Sequence, residues 1–253
     1  MSEPNKIITI DLNCDMGEGM DNDAAIMPFI SSANIACGYH AGDEQIMKET
    51  IELATQHHVA IGAHPSFNDK ENFGRKEMNL SLNEIYSLVF EQIKILDAIV
   101  RKNGSTLHHV KPHGALYNMS AKNIEIAKTI AQAVCDYNKD LVLLGLSGSY
   151  SINEAKKIGL KTASEVFADR TYQGDGSLTP RSQQNALIED ADKAVEQVLQ
   201  MIKKGVVISV TEKKIPIIAE TICIHGDGKH AVTFAKQINE ALQEEMIKIQ
   251  PVE

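Results

Sequence analysis

The chain has 253 residues, of which 43% are hydrophobic and 23% charged, a composition typical of a globular protein that buries a substantial core. Its formal net charge is −9 and no stretch is rich in lysine or arginine, which argues against nucleic acid or an anionic membrane as partner and favours a small molecule. No apolar signal region, no apolar run of roughly 18 residues and no CxxC pair occurs, so we expect a reduced, cytoplasmic protein with one domain over residues 1–253.

The first predicted strand, residues 7–10, leads directly into the sequence D-L-N-C-D-M-G-E-G at residues 11–19. An apolar, β-prone run predicts a buried strand, whereas unpaired carboxylates and amides are not tolerated in a packed core. The two glycines let the backbone turn, so that Asp15 and Glu18 can converge on a ligand. We therefore interpret the strand as scaffold and its end as a functional site, the alternative being an ordinary polar turn.

Short apolar runs alternate with amphipathic helices along the rest of the chain. Further strands are predicted at 33–40, 59–64, 107–113, 141–145, 161–167 and 222–225. Helices are predicted from Asp43, from the capping box Ser81 to Glu84 up to Gly104, and at 120–137, 151–159, 183–204 and 229–242. Residues 206–219 are interpreted as a β-hairpin insert, and the tail after Gln250 is expected to be loose.

Seven successive strand and helix units predict an α/β fold with a parallel sheet and right-handed crossovers. A closed or nearly closed TIM-like (β/α)7 barrel fits the length and the number of units. A doubly wound open sheet is the alternative.

Almost every predicted strand ends in ionisable residues. In strand order these are Asp11, Asp15 and Glu18, then His40 and Asp43, His64, Lys111 and His113, then Glu165, Asp169 and Arg170, and finally His225 and Asp227. Parallel strands bring their carboxyl ends to one rim, where barrels of this kind carry their sites. A single histidine would more often be structural, but histidines at the ends of four strands predict a functional rim. No function is assigned to the remaining histidines, His57, His58, His108, His109 and His230.

Two loops are longer than their connections require, residues 64–80 with Arg75 and residues 169–181 with Arg170. Both follow strands, and their length and glycines suit lids that close over a ligand. An arginine there can hold a carboxylate through two parallel hydrogen bonds, so a small acidic substrate is favoured. The alternative is an ordinary surface loop with a solvated arginine in each case.

Two reaction classes fit the residues of the rim. Asp15, His64 and His113 form a candidate metal site, with His40 or Asp11 as further ligands, that would activate water for hydrolysis. Neither an HxH nor an HExxH motif supports a preformed metal site, which slightly favours chemistry without a tightly bound metal.

The second class is metal-free acid/base chemistry by Asp11, Glu18 and the histidines, with Lys111 stabilising an oxyanion. The sequence contains no GxxxxGK[ST] motif, so a P-loop is excluded. Glycine turns at 145–149 and 226–229 lie between strands and helices, where backbone N–H groups can hold a phosphate, although tight turns have the same composition.

Six motifs in order resemble the LamB/YcsF family over about residues 7–245. They are D-L-N-C-D-M-G-E (11–18), N-I-A-C-G-Y-H-A-G-D (34–43), G-A-H-P-S (62–66), V-K-P-H-G-A-L-Y (110–117), E-V-F-A-D-R (165–170) and I-H-G-D (224–227). One position departs from the expected pattern, since Lys76 stands where an apolar or small polar residue is expected.

The resemblance implies ATP-dependent hydrolysis of 5-oxo-L-proline to L-glutamate, in which ATP, with Mg²⁺ as its counter-ion, is cleaved to ADP and phosphate. The reaction is shared with two further subunits, the 5-oxoprolinase subunits B and C. A five-membered lactam is a stable amide, so ATP would phosphorylate the lactam oxygen before water attacks. The family is similar in fold to the glycoside hydrolase/deacetylase superfamily, whose deacetylases bind a metal through one aspartate and two histidines, matched here by Asp15, His64 and His113.

Residue roles follow from the resemblance together with the polar rim. The proposed catalytic residues are Asp11, Glu18, His40, His64, Lys111, His113 and Asp169, and the proposed substrate-binding residues are Asn13, Arg75, Arg170, His225 and Asp227. Two alternatives stay open. One is a metal-dependent deacetylase or amide hydrolase that acts alone on a carbohydrate or lactam, and the other is a non-catalytic subunit that delivers 5-oxoproline to its partners.

Overall fold

Seven parallel strands close into a barrel in the computed structural model, which describes residues 8–226 and 230–253. The strands in chain order are β1 (Thr9–Met16), β2 (Ser32–Ala36), β3 (Ala60–His64), β4 (Leu107–Val110), β5 (Val142–Leu146), β6 (Lys161–Phe167), β7 (Val206–Ile208), β8 (Lys214–Pro216), β9 (Thr221–Ile224) and β10 (Lys248–Ile249). The barrel order is β1-β2-β3-β4-β5-β6-β9, and parallel pairing of β9 with β1 closes it. The predicted (β/α)7 barrel is therefore confirmed, and the open sheet is wrong.

Helices connect the strands and cover the barrel. They are α1 (Asp23–Ile26), α2 (Glu44–Gln56), α3 (Leu82–Lys102), α4 (Gly114–Lys122), α5 (Ile124–Tyr137), α6 (Tyr150–Lys157), α7 (Ala191–Lys204) and α8 (Ala231–Glu244). The predicted capping box at the start of α3 is present, with the Ser81 hydroxyl accepting from Glu84 N–H and the Glu84 carboxylate accepting from Ser81 N–H. No helix within the described ranges is long and apolar enough to cross a membrane.

The first strand is longer than predicted. It runs to Met16, so Asp11, Asn13 and Asp15 lie within it and alternate with the apolar residues Leu12 and Cys14. The polar side chains are tolerated because they face a polar barrel interior in which they are hydrogen-bonded.

Two predicted helices differ from the structure. The helix predicted at 120–137 is two helices, because Asn123 leaves helical geometry and its side chain caps α5. The helix predicted at 183–204 begins only at Ala191, with Asp190 as its cap. The residues before it belong to a loop that is fastened by bridges from Arg170 to Leu187 and from Tyr172 to Leu178.

The carboxyl-terminal tail closes the end of the barrel opposite the predicted rim, and the expectation of a loose tail is wrong. β10 pairs with β1, the Gln250 N–H donates to the Ile10 carbonyl, and the Val252 carbonyl accepts from His108 Nε2 at 2.9 Å. The predicted hairpin is present as β7 paired antiparallel with β8.

Candidate functional site

A cavity of about 290 Å³ opens at the carboxyl ends of the barrel strands. Acidic and histidine side chains, among them Glu18 and His64, line it together with the arginines Arg75, Arg170 and Arg181. Both long loops contribute residues to the wall, so their predicted position at the rim is confirmed. The cavity therefore presents groups suited to acid/base or metal chemistry together with groups suited to binding an anion.

The histidine cluster consists of Glu18, His40, His64 and His113, all buried. Each contributes one potential ligand atom, and these atoms lie within 4.8 Å of one another. Glu18 Oε1 is 3.1 Å from His40 Nε2, 3.5 Å from His113 Nδ1 and 3.9 Å from His64 Nε2. The loop after β1 and the ends of β2, β3 and β4 thus deliver four side chains to one point.

Backbone carbonyls fix the tautomers of two of these histidines. A carbonyl can only accept, so His64 donates from Nδ1 to the Lys111 carbonyl at 2.7 Å, and His113 donates from Nε2 to the Phe73 carbonyl at 2.9 Å. The other ring nitrogens, His64 Nε2 and His113 Nδ1, lie 2.9 Å apart. If both rings are neutral, these atoms present lone pairs to each other, so the arrangement requires a proton or a cation between them.

His40 repeats this pattern. The Ser66 hydroxyl donates to the Phe67 carbonyl at 2.9 Å and therefore accepts from His40 Nδ1 at 2.8 Å. His40 Nε2 then turns a lone pair toward Glu18 Oε1. When all three rings are neutral, each directs an unprotonated nitrogen toward the Glu18 carboxylate.

Burial favours the neutral form of His40 and His113. It lowers the pKa of His40 to about 3, with a contribution from the charge of His64. Burial, together with the charges of His64 and His40, also holds the pKa of His113 well below its usual range. Neutral imidazoles are the form that binds metal ions.

The donor set fits a divalent metal ion. Three imidazole nitrogens and one carboxylate are ligands typical of zinc and related ions, and hydrogen bonds to protein oxygens orient all three rings in the manner of metal-bound histidines. The predicted ligands His64 and His113 and the further ligand His40 are members of this set, to which the structure adds Glu18. Asp15 lies beside it, with Oδ2 3.4 Å from His64 Nε2.

Lys111 occupies the centre of the barrel and is saturated with acceptors. Its ammonium group lies 2.8 Å from Asp15 Oδ1, 2.9 Å from Glu165 Oε1 and 3.2 Å from Asn13 Oδ1, with Cys223 Sγ at 3.0 Å. An ammonium has three hydrogens to donate, so these partners use its full capacity. Lys111 therefore neutralises buried carboxylates, and the predicted contact with an oxyanion would require it to release one of them.

The charges in this network stabilise each other. Although burial alone would lower it, the pKa of Lys111 is held well above its usual range by the negative charge of Asp15 and its other neighbours. Burial would likewise raise the pKa of Asp15, but the charges of His64 and Lys111 hold it well below its usual range. Asp15 is thus a permanent anion beside the histidine cluster.

A carboxylate and imidazole pair stands at the end of β6 and β9. His225 Nδ1 lies 2.9 Å from both oxygens of Asp169, and its ring stacks on Phe167 with 5.5 Å between centroids. The charge of His225 holds the pKa of Asp169 below its usual range despite burial, which would raise it. Asp169 therefore orients His225 with its proton on Nδ1, and His225 lines the cavity.

Arg170 is buried and fastens its own loop. Its Nε donates to the Ala186 carbonyl at 3.3 Å and its Nη2 to the Thr179 carbonyl at 2.6 Å, and Arg170 is among the residues that line the cavity. Burial and the neighbouring Arg181 lower its pKa to about 10, which leaves it a cation at pH 7. This buried cation is suited to hold an anionic group.

Most of the predicted site residues meet at the cavity. The predicted residues that line it are Asp15, Glu18, His64, Arg75, Lys111, His113, Arg170 and His225. Three other predicted residues contact these lining residues from outside the cavity. Asn13 contacts Lys111, His40 contacts Glu18, and Asp169 contacts His225. Asp227 lies outside the described residues.

Asp11 does not reach this site. It lies near the start of β1, where it accepts from the hydroxyls of Ser31, Ser32 and Thr221 at 2.5 to 2.7 Å. It borders a separate cavity at the opposite end of the barrel, beside Glu220 and the carboxyl-terminal tail. The expected position on the rim is wrong because the strand continues past Asp11, and we leave this residue out of the proposed site.

Sequence reasoning missed several interior and lining residues. Tyr117 and Phe167 line the cavity, and Asn34 donates to both Asn13 and Asp15 at the barrel centre. His109, to which no function was assigned, donates to Asn34 in the same network. Tyr117 follows His113 by one helical turn, a signal that could have placed it beside the cavity.

The fold and the site define a class of protein, a seven-stranded barrel with a histidine and carboxylate cluster at the carboxyl ends of its strands. The chain belongs to the LamB/YcsF family, whose model matches residues 10–253.

Relatives support this assignment. The chain is 52% identical over 246 residues to the A component of 5-oxoprolinase from Staphylococcus aureus strain JH9, and the match covers 95% of this chain and 98% of that protein. A lactam utilization protein from Thermus thermophilus superposes with a TM-score of 0.91 at 39% identity, over 97% of this chain and 100% of that one.

A more distant structure is similar in fold alone. A family 4 carbohydrate esterase from Streptomyces lividans has a TM-score of 0.52 at 12% identity, with 97% of this chain and 93% of that chain covered. This similarity agrees with the barrel architecture.

Proposed function

We propose that this chain is the component of an ATP-dependent 5-oxoprolinase in which the lactam ring of 5-oxo-L-proline is opened to L-glutamate. The observation that carries the proposal is that members of the histidine cluster and the buried cation Arg170 line the same cavity. Its volume of about 290 Å³ suits a small acid. The names of the relatives, a 5-oxoprolinase component and a lactam utilization protein, support the same reaction.

Each step of the proposed hydrolysis is assigned to particular residues of the cavity. Phosphorylation of the lactam oxygen by ATP makes the ring carbon electrophilic. Water then attacks that carbon and the carbon to nitrogen bond breaks, which leaves an acyl phosphate with a free amino group. A second water hydrolyses the acyl phosphate to the carboxylate of L-glutamate and free phosphate. Glu18 with His64 is placed to take the proton from water, and His225, oriented by Asp169, is placed to give a proton to the ring nitrogen. Arg170 holds the substrate carboxylate.

A divalent metal ion bound by Glu18, His40, His64 and His113 would lower the pKa of water and supply hydroxide at neutral pH. Since the sequence has no P-loop, we propose that subunits B and C make most of the contacts to ATP and its Mg²⁺. Lys111, with its hydrogens engaged by Asp15 and Glu165, keeps the site electrically balanced instead of binding phosphate.

Reconstitution tests this proposal. Glutamate released from 5-oxo-L-proline is measured with this chain, subunits B and C, and Mg-ATP, and then with each component omitted in turn. We expect turnover in the complete mixture and none in the mixtures that lack this chain or ATP. Glutamate formation at an undiminished rate without this chain would contradict the proposal.

The histidine cluster favours one second candidate, a metal-dependent deacetylase or amide hydrolase that acts alone, since its ligand set suits water activation without ATP. The same measurement distinguishes the two. Hydrolysis of an acetylated sugar or a lactam by this chain alone, independent of ATP and abolished by a chelator, would select the second candidate.

A further inference from the structure

A short turn of the first long loop, residues 73–75, lies directly against the histidine cluster. The Phe73 carbonyl accepts from His113 Nε2 at 2.9 Å. The Phe73 ring packs nearly at right angles to the rings of His40 and His113, with 5.4 and 5.5 Å between centroids. The Arg75 guanidinium lies over the same phenyl ring, 4.8 Å from its centroid, and Arg75 lines the cavity. One turn therefore contacts two histidines of the cluster and carries an arginine of the cavity wall.

The backbone of this turn is left-handed at two successive residues. Phe73 has a φ of 55° and Gly74 a φ of 63°. Glycine adopts this conformation readily, but a bulky residue does so rarely, and the strain persists only where surrounding contacts stabilise it. For Phe73 those contacts include the hydrogen bond from His113 and the packing of its ring. The strained residue is thus held in place against the histidine cluster.

Backbone hydrogen bonds fasten the turn on both sides. The Gly74 N–H donates to the Asp69 carbonyl at 2.8 Å, and the Gly74 carbonyl accepts from the Ala115 N–H at 3.0 Å, in the first turn of α4. A β-carbon at Gly114 would lie 2.5 Å from the Gly74 carbonyl oxygen, so the two backbones approach closely. Since Gly114 follows His113 directly, the turn and this histidine are attached to the same segment.

The space at Gly74 leaves no room for a side chain. A β-carbon there would lie 3.0 Å from His113 Cδ2, 3.0 Å from His40 Cβ and 3.3 Å from Ser66 Cβ. Ser66 is the residue whose hydroxyl accepts from His40 Nδ1. Carbon atoms in contact normally lie about 3.5–4.0 Å apart, so even a methyl group would push against both histidines.

We propose that the turn at residues 73–75 is a positioning element for the histidine cluster. It holds His113 Nδ1 and His40 Nε2 toward Glu18, from which they lie 3.5 and 3.1 Å. It also carries Arg75 at the wall of the cavity. The expected effect on turnover rests on the proposed function, whereas the orientation of the rings follows from contacts within the free protein. Groups that orient the histidines of a reactive site typically change its activity by about 10- to 100-fold when they are altered.

Gly74→Ala tests the proposal in two preparations. In the isolated, metal-free chain, NMR detects the Nε2 proton of His113, which is hydrogen-bonded to the Phe73 carbonyl and is assigned through its absence from His113→Gln. We expect this signal to shift or disappear in Gly74→Ala. In the complete complex with subunits B and C, we expect kcat for glutamate formation to fall by about 10- to 100-fold.

Gly104→Ala is the matched control. Gly104 is also left-handed, with a φ of 72°, but a β-carbon there would have no atom of the described chain within 4 Å apart from its neighbours in sequence. Both substitutions carry the same conformational cost, so we expect Gly104→Ala to lower the melting temperature while keeping the His113 signal and kcat of the wild type. A folded Gly74→Ala variant with an unchanged His113 signal or an unchanged kcat would overturn the inference.

Phe73→Ala and Phe73→Tyr provide the test if Gly74→Ala does not fold. The Phe73 side chain is half-buried, so its truncation should leave the barrel intact. The alanine variant loses the ring contacts with the two histidines and Arg75, and we expect the same changes in NMR signal and kcat. The tyrosine variant keeps the ring and should stay within about twofold of the wild-type kcat. Equal kcat values for the two variants would overturn the inference.

Failure of the proposed function gives a different result. The wild-type complex would then release no glutamate, while the His113 signal of the isolated chain would still respond to Gly74→Ala and not to Gly104→Ala.

Discussion

Replacement of His64 by alanine is expected to lower kcat/KM for ATP-dependent glutamate formation by about 1000-fold. A decrease of this size is typical when an enzyme loses its general base. His64 Nε2 stands between the other reactive groups, 2.9 Å from His113 Nδ1, 3.4 Å from Asp15 Oδ2 and 3.9 Å from Glu18 Oε1. Its removal takes away the proposed proton acceptor and one ligand of the candidate metal site. Steady-state kinetics of the reconstituted complex measure the effect.

His57→Ala is the control for this substitution. His57 is an exposed residue at the end of α2, remote from the cavity, and its replacement should leave kcat/KM unchanged. The circular dichroism spectrum and melting temperature of His64→Ala establish whether it is folded. A folded His64→Ala variant within tenfold of the wild-type kcat/KM would contradict the assigned role.

Replacement of Lys111 by methionine is expected to lower the free energy of unfolding by about 3–5 kcal/mol, the cost of leaving buried charge without its partner. Asp15 and Glu165 both contact the Lys111 ammonium, and all three residues are buried. Urea denaturation of the isolated chain measures the loss. The double variant Lys111→Met with Glu165→Gln should recover part of it, because one of the two carboxylates is then neutral.

A surface ion pair with a similar nitrogen-to-oxygen distance provides the comparison. Lys128 lies 3.0 Å from Glu125, and both side chains are about half exposed, so Lys128→Met should cause no measurable change in stability. Equal stability losses for Lys111→Met and Lys128→Met would show that the buried network contributes nothing beyond a surface pair. That result would contradict the interpretation of Lys111 as the counter-charge of the site.

The barrel could be predicted from the sequence because its strands are short, apolar and separated by amphipathic helices. Periodicity finds such elements, and topology rules then leave few arrangements. The length of β1 could not be predicted in this way. Asp11 and Asn13 break the apolar pattern. Their side chains can be buried in a strand only because they hydrogen-bond to partners such as Thr221, about 210 residues away in the chain.

The candidate site could be predicted as a set of residues but not as an arrangement. The ends of parallel strands meet, which is why His64, His113 and Arg170 reach one cavity. The preference for Glu18 over Asp15 in the histidine cluster depends on Lys111, which binds one oxygen of Asp15 from the barrel centre. Such competition between partners is decided by distances of a few tenths of an ångström, which a linear sequence does not contain.

We propose that the lactam binds in this cavity, between the histidine cluster and Arg170. A crystal structure of the chain with 5-oxo-L-proline, alone or with subunits B and C, tests it most directly. We predict electron density for the substrate with its carboxylate at Arg170 and its ring carbonyl toward Glu18 and His64. Density for 5-oxo-L-proline on a partner protein, with this cavity empty, would contradict the account.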